Sequence, residues 1–262
     1  MASELSRELQ QRGHSRRDRL WDPEALAEVR FEALELWDRL RSGTRSDQLG
    51  RTGADPHGCD LRLSPQHPHI WSLLTSGALP RLVAEATGWT HFWPLHFGLL
   101  CKQPGAPMTG WHRDKDVIPS EAPILTCWIP LTPVAAGSGL HYAEGTAALS
   151  AAAGALADGS PLQHLLLRHG SPFVDTEAFA PGDVDLHDGK VWHCGLPNRM
   201  AQQRLALAAC YLPATARLNP DPPGFDPPRG AELRQRIREL YFADLQPGDR
   251  LTGDAHPELQ AN

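Results

Sequence analysis

Residues 110–114 read GWHRD and set an imidazole, His112, two positions from a carboxylate, Asp114. On extended backbone, side chains two apart project from the same face, so both can address one ion while Trp111 and Arg113 turn away, Arg113 as a surface or rim charge. The pair alone is weak, because a chain with 13 histidines meets His-x-Asp by chance about once. A third donor stands in APGDVDLHDGKVWHCGLPN, residues 180–198, where a Pro-Gly turn and a short strand carry the chain to His193. Two imidazoles and one carboxylate on one side of an ion form the 2-His-1-carboxylate triad, which suits Fe(II) and leaves positions open. A structural zinc site would be closed by four ligands, whereas vacant positions admit a bidentate co-substrate and then O2. Asp185 and His187 offer a competing ligand pair close to His193, but the Pro-Gly-Asp turn fits the strand leading to His193 better. Arg204 follows in RLALAACYL, and its planar guanidinium matches the carboxylate of such a co-substrate bidentately. A structural ion pair is the plain alternative for that arginine.

These residues need elements to position them. A chain of 262 residues with 41% hydrophobic and 21% charged residues can build one core, and a single domain over 1–262 is expected. The segment 22–43, DPEALAEVRFEALELWDRLRSG, opens on Asp-Pro, repeats apolar residues at helical spacing and stops at Gly43. Residues 43–60 are rich in Gly, Asp and Ser and predict a long exposed loop; residues 69–88 predict a second helix. After Gly88 the period shortens. Segments 92–101, 124–131, 183–187 and 204–212 are short apolar or alternating runs between Pro and Gly turns. Helices first and strands afterwards predict an α+β protein with a mainly β core, an antiparallel barrel or sandwich with the N-terminal helices packed on one side. On the last strand Arg204, Ala206, Ala208 and Cys210 share one face, with Leu205, Leu207 and Tyr211 on the other. The Ala-rich stretch near 147–180 reads as an insertion, 230–245 as a C-terminal helix, and the remainder from Gln246 as a polar tail.

Composition excludes several functions. A net charge of −6 and the lack of a basic cluster argue against nucleic acid. No apolar run is long enough to span a bilayer, and the first twenty residues carry charges throughout with no signal core, so a cytoplasmic protein is expected. The five cysteines are scattered without a CxxC pair, so buried thiols are expected rather than disulfides or a zinc knuckle.

Taken together, PGAPMTGWHRD (104–114), CWIPLTPVAAGSGLHYAEGTA (127–147) and GDVDLHDGKVWHCGLPN (182–198) followed by Arg204 resemble the phytanoyl-CoA dioxygenase-like family of Fe(II)- and 2-oxoglutarate-dependent oxygenases. The resemblance covers roughly residues 20–215. It implies a double-stranded β-helix, a cupin-like jelly-roll barrel, with His112, Asp114 and His193 on iron and Arg204 on the distal carboxylate of 2-oxoglutarate. Fe(II), 2-oxoglutarate and O2 would be the cofactors, and a small metabolite or natural-product intermediate the partner to be hydroxylated; an acyl-CoA or carrier-bound acyl group is the alternative substrate. Thr126 and Trp128 share a strand face that reaches either the co-substrate or the packed core. Lys102 reaches either the co-substrate or solvent. Two departures stand out: Gly195 replaces a serine that family members often carry, and AEGTA replaces a Pro-Gly-Ser-His segment. A non-catalytic ligand-binding barrel and a zinc hydrolase are the readings from other classes; hydrolysis would leave Arg204 without a task.

Overall fold

The computed structural model describes residues 3–41, 48–50, 57–148, 170–220, 234–235, 237–239, 242–251 and 257–260. The chain opens with α1 (Glu4–Arg12), which Ser3 caps by accepting the Ser6 amide and which ends at Gly13 in the left-handed region, φ 89°. Then come β1 (His14–Arg17), a 3-10 turn Pro23–Leu26 running into α2 (Ala27–Arg41), β2 (Gln48–Gly50), β3 (Gly58–Arg62), α3 (Pro68–Thr75), α4 (Ala78–Thr87) and β4 (His91–Lys102). A 3-10 turn, Asp114–Val117, precedes β5 (Leu125–Pro130) and β6 (Leu140–Ala143). The chain continues through β7 (Phe173–Asp175), β8 (Val184–Asp188), β9 (Trp192–Gly195), β10 (Arg204–Pro213) and β11 (Leu259–Gln260).

Two antiparallel sheets result. The larger has the order β1-β8-β5-β10-β4-β3-β2, with β11 added to β4; the smaller has the order β7-β6-β9. The alternation along the central strands sorts two layers. Phe97, Leu99, Leu125, Cys127, Ile129, Leu205, Leu207 and Tyr211 face outward into one cluster with Ala33, Leu36, Ile70, Leu79, Leu82 and Val83 of the helices. Burial of that apolar face is what docks the helices, and two polar contacts fix their register. Tyr211 Oη donates to the Leu74 carbonyl at 2.8 Å, and the buried Glu32 carboxylate accepts the Ile70 amide in the first turn of α3 at 2.7 Å. On the inner face Trp128, Ala206, Ala208 and Leu100 meet Leu140, Tyr142, Val134, Phe179 and Val191 from the smaller sheet side. This arrangement agrees with the expected helices-on-β-core architecture, including the two faces read for residues 204–211.

Several expectations need correction. The loop expected over 43–60 carries β2 and the start of β3; β3 pairs onto β4 and β2 onto β3 at the edge of the sheet, and residues 42–47 and 51–56 lie outside the described residues. The second helix is two, because Gly77 turns the chain with φ 73° between Thr75 and Ala78. The first twenty residues, which carried no assigned element, hold α1 and β1. The polar tail is pinned: Leu251 is buried among Trp93, Leu95 and Leu212, and β11 pairs with β4. Most of the expected insertion (149–169) and part of the expected C-terminal helix lie outside the described residues. Among the described residues, no helix is long and apolar enough to cross a membrane.

Gly182 supplies a stability test. Its φ is +106°, its carbonyl accepts the amides of Leu20 and Trp21, and a Cβ there would collide with the Trp21 carbonyl oxygen. Gly182→Ala should therefore lose about 2 kcal/mol or more in urea unfolding, with an unchanged m-value.

Candidate metal centre

Arg113 is extended, φ −126° and ψ 135°, so His112 and Asp114 emerge on one side of the strand. The strand is short because it consists of a single antiparallel bridge, His112 opposite His193, closed by two backbone hydrogen bonds of 2.9 and 3.0 Å. Beyond His112 the chain turns at once into the 3-10 segment starting at Asp114, which brings the carboxylate back toward the bridge. One ligand atom each from His112, Asp114 and His193 fall within 4.8 Å of one another. Asp114 Oδ1 lies 3.8 Å from His112 Nε2 and 3.6 Å from His193 Nε2.

The imidazoles are oriented for coordination. His112 Nδ1 lies 2.8 Å from the Gly110 carbonyl and His193 Nδ1 lies 3.1 Å from the Val191 carbonyl. A carbonyl can only accept, so each Nδ1 carries the hydrogen and each Nε2 presents its lone pair to the gap. Burial, joined by the neighbouring His112 and His187, holds His193 well below the usual imidazole range and so keeps it neutral. Burial pushes the Asp114 carboxyl upward, but His193, His187 and His112 outweigh it and hold the group well below its ordinary range, as an anion. Two imidazole nitrogens and one anionic oxygen are a donor set that suits a first-row divalent cation, and they gather on one side of the gap.

Around the triad the larger sheet supplies a polar row. Register places His96, Cys210, Thr126 and His187 side by side across β4, β10, β5 and β8. Thr126 Oγ1 donates to Asp114 Oδ2 at 2.5 Å, and His187 Nε2 donates to the same oxygen at 3.0 Å. His187 Nδ1 meets the Tyr142 hydroxyl at 2.9 Å, and that hydroxyl donates to Asp185. Asp185 and His187 thus share Tyr142 as a partner, and through His187 they stand behind Asp114 rather than replacing it. Burial lowers His187, but the hydrogen bonds to Asp114 and Asp185 prevail and raise it to about 9.

The next rows along β4 and β10 carry small or apolar residues: Gly98 opposite Ala208, then Leu100 opposite Ala206. The row after them pairs two cations, Lys102 and Arg204, each only 2% exposed. Lys102 Nζ donates to the carbonyls of Pro107 (2.9 Å), Gly195 (2.9 Å) and Leu196 (3.0 Å). Arg204 Nη1 donates to the carbonyls of Ser138 and, at 3.0 Å, Gly139. Both cations converge on Gly195, where a Cβ would stand 3.3 Å from Arg204 Nη2 and 3.5 Å from Lys102 Nζ. The same point is 3.1 Å from Thr109 Oγ1, which accepts the Gly195 amide at 2.6 Å. A serine at 195 would crowd this corner, and Thr109 brings a hydroxyl to it instead. Trp128 closes the inner wall with its ring 5.8 Å from the Arg204 guanidinium.

Sequence reasoning missed the roles of His187, Tyr142, Thr109 and His96, none of which has a local signature. Arg113 was expected at the surface or rim; it does point away from the triad, but it is buried, paired with Asp116 at 2.7 Å and packed over Trp192. Lys102 is buried rather than in solvent. Thr146, which replaces the expected Pro-Gly-Ser-His segment, is buried and braces β6 against β9 by donating to Ala143 O and accepting the Trp192 amide. All five cysteines are buried thiols outside any disulfide, and burial pushes the Cys194 thiol up to about 12, which disfavours the thiolate beside His193.

No family model matches the chain, and no curated protein matches it. Solved structures do. The non-heme alpha ketoglutarate dependent carbocyclase SnoK from nogalamycin biosynthesis superposes with a TM-score of 0.75 at 21% identity, covering 99% of this chain and 97% of that one. The epimerase SnoN in complex with Fe3+, alpha ketoglutarate and nogalamycin RO gives 0.73 at 20% identity, covering 98% and 97%. EctD from S. alaskensis with bound Fe gives 0.66 at 16% identity, covering 88% and 85%. The fold is therefore the jelly-roll fold of these enzymes.

Burial lowers His96 to about 4, with Asp114 opposing the shift. Between pH 6.5 and 4 the unfolded chain binds the proton that folded His96 refuses, so stability rises with pH across that window and falls on acidification. A shift of that size is worth about 3 kcal/mol, and His96→Gln should flatten this part of the stability profile measured by denaturant titration at several pH values.

Proposed function

We propose that this chain is an Fe(II)- and 2-oxoglutarate-dependent oxygenase that oxidises a C–H bond of a small metabolite or natural-product intermediate. The observation that carries the reading is the convergence of His112, Asp114 and His193 within 4.8 Å, with the two buried cations Arg204 and Lys102 further along the same sheet. His112 Nε2, Asp114 Oδ1 and His193 Nε2 would hold the iron. When bound, iron and 2-oxoglutarate supply the activation of O2, with release of succinate and CO2 and oxidising power sufficient for an unactivated C–H bond.

The rest falls to the chain's own residues. Gly195 lies two residues beyond His193 on β9, a strand distance of about 7 Å. A five-carbon dicarboxylate chelating at the triad has the length to reach the corner where Arg204, Lys102 and Thr109 meet. Gly98, Ala206 and Ala208 leave room along that path, since none carries more than a methyl group. Trp128 Nε1 is buried with no hydrogen-bond partner among the described residues, and a donor left so is costly unless a bound group accepts from it. In this reading the guanidinium of Arg204 fixes the distal carboxylate, while Lys102 and Thr126 complete the electrostatic frame of the co-substrate. Thr126 does so from behind Asp114, to which its hydroxyl is already committed.

The structural neighbours include an epimerase and a carbocyclase, so removal of hydrogen from carbon is the step we assign; hydroxylation is its simplest outcome. The test is formation of succinate from 2-oxoglutarate by the protein supplied with Fe(II) and O2, against a panel of small metabolites. Asp114→Ala should abolish it. Arg204→Ala should raise the apparent KM for 2-oxoglutarate by about 30-fold or more, since losing one partner of a buried charge pair costs roughly 2–5 kcal/mol. Succinate formation that survives in Asp114→Ala, or an unchanged KM in Arg204→Ala, would overturn the assignment.

A further inference from the structure

A carboxylate can give an ion one oxygen or two, and Asp114 has its second oxygen occupied. Oδ1 faces the two Nε2 atoms, while Oδ2 accepts from Thr126 Oγ1 at 2.5 Å and His187 Nε2 at 3.0 Å. The two donors are cross-strand neighbours, Thr126 on β5 opposite His187 on β8, so the sheet fixes their spacing before any ion binds. We propose that Thr126 and His187 are positioning residues that hold Asp114 to a single metal bond, keeping open the coordination position that its second oxygen would otherwise take. The inference rests on the oxygenase reading above and goes beyond it.

The clamp is anchored from behind, as such a role requires. His187 is held at its other nitrogen by the Tyr142 hydroxyl, 2.9 Å away, and Tyr142 donates onward to Asp185. The Tyr142 ring stacks on His14 with centroids 4.1 Å apart and planes 5° from parallel. His14 in turn meets Glu144 at 2.9 Å. His187 is thereby tied to both sheets: Tyr142 comes from the smaller one, and Asp185 and His14 from the larger. An imidazole fixed at both nitrogens cannot swing toward the ion as a fourth ligand without breaking a buried hydrogen bond. The two clamping donors also differ in chemistry, a neutral hydroxyl and an imidazole N–H, so each can be removed separately.

The experiment uses the whole chain loaded with Mn(II), whose exchangeable waters are counted by water-proton relaxation, with binding itself followed by the EPR signal of free Mn(II). Three protein ligands on a six-coordinate ion leave three waters, and a bidentate Asp114 leaves two. Wild type and His187→Gln, whose amide can still donate to Oδ2, should hold three. Thr126→Val and His187→Leu should lose about one third of the relaxivity of the bound ion, with thermal unfolding confirming that each is folded. Thr126→Val, a near-isosteric change, decides the matter if His187→Leu does not fold. Three waters in every folded variant overturn the clamp while leaving the oxygenase reading in place. Wild type that binds no Mn(II) overturns both.

Discussion

The site depends on one short piece of backbone pairing. His112 and His193 exchange amide and carbonyl across a single bridge, and among the described residues no longer backbone pairing joins the GWHRD segment to the smaller sheet, on which Trp111 packs against His141 and Phe173. That bridge sets the distance between two imidazoles whose ring centroids are 4.3 Å apart, and the turn that follows returns Asp114 to the same gap. A pairing this small would fray alone. It is held because Arg113, on the opposite side of the strand, is buried between Asp116 and Trp192. Thr109 holds the segment again further upstream, where its amide donates to Gly195 O at 2.9 Å and its hydroxyl accepts the Gly195 amide. The face that gathers the triad and the packing face of the same few residues are therefore coupled: what keeps Arg113 dry keeps His112 in place.

The second constraint is electrostatic. The inner face of the larger sheet begins with a polar row at the triad, passes two rows of glycine, alanine and leucine, and ends with Lys102 and Arg204. Buried cations are costly unless something offsets their charge. Carbonyl oxygens accept from the donors named here. Under the proposed function a dianionic co-substrate chelated at the triad would add to that compensation, and the small residues between the triad and the cations would then matter as much as the charged ones. Removing the methyl-sized gap at Ala206 or Ala208 would close the path without touching either end.

Much of this was legible in the sequence, and the part that was not has a physical reason. β4, β5, β8 and β10 declare themselves because they lie at the centre of the larger sheet, where apolar side chains are demanded on at least one face. β2 is the edge strand and β3 lies next to it, and their short Gly- and Asp-containing sequences look like loop because so few apolar positions are demanded there. The helical period runs smoothly across Gly77, since apolar residues on both sides face the same core, and only a positive φ reveals the break. The triad was legible because metal chemistry restricts residue type and spacing. The hydrogen bonds behind it were not, because His187 reaches Asp114 only through the register of β8 on β5, a non-local fact. Arg113 was misplaced for the same reason: its partner Trp192 is brought beside it by the very bridge that builds the site.

The most direct measurement is X-ray absorption on the protein loaded with one equivalent of Fe(II) under anaerobic conditions. The account expects a first shell of nitrogen and oxygen with the multiple-scattering signature of two imidazoles, from His112 and His193, and loss of metal binding when His193 is replaced by alanine. A shell containing sulfur, a third imidazole from His187, or iron that binds equally well without His193 would contradict it.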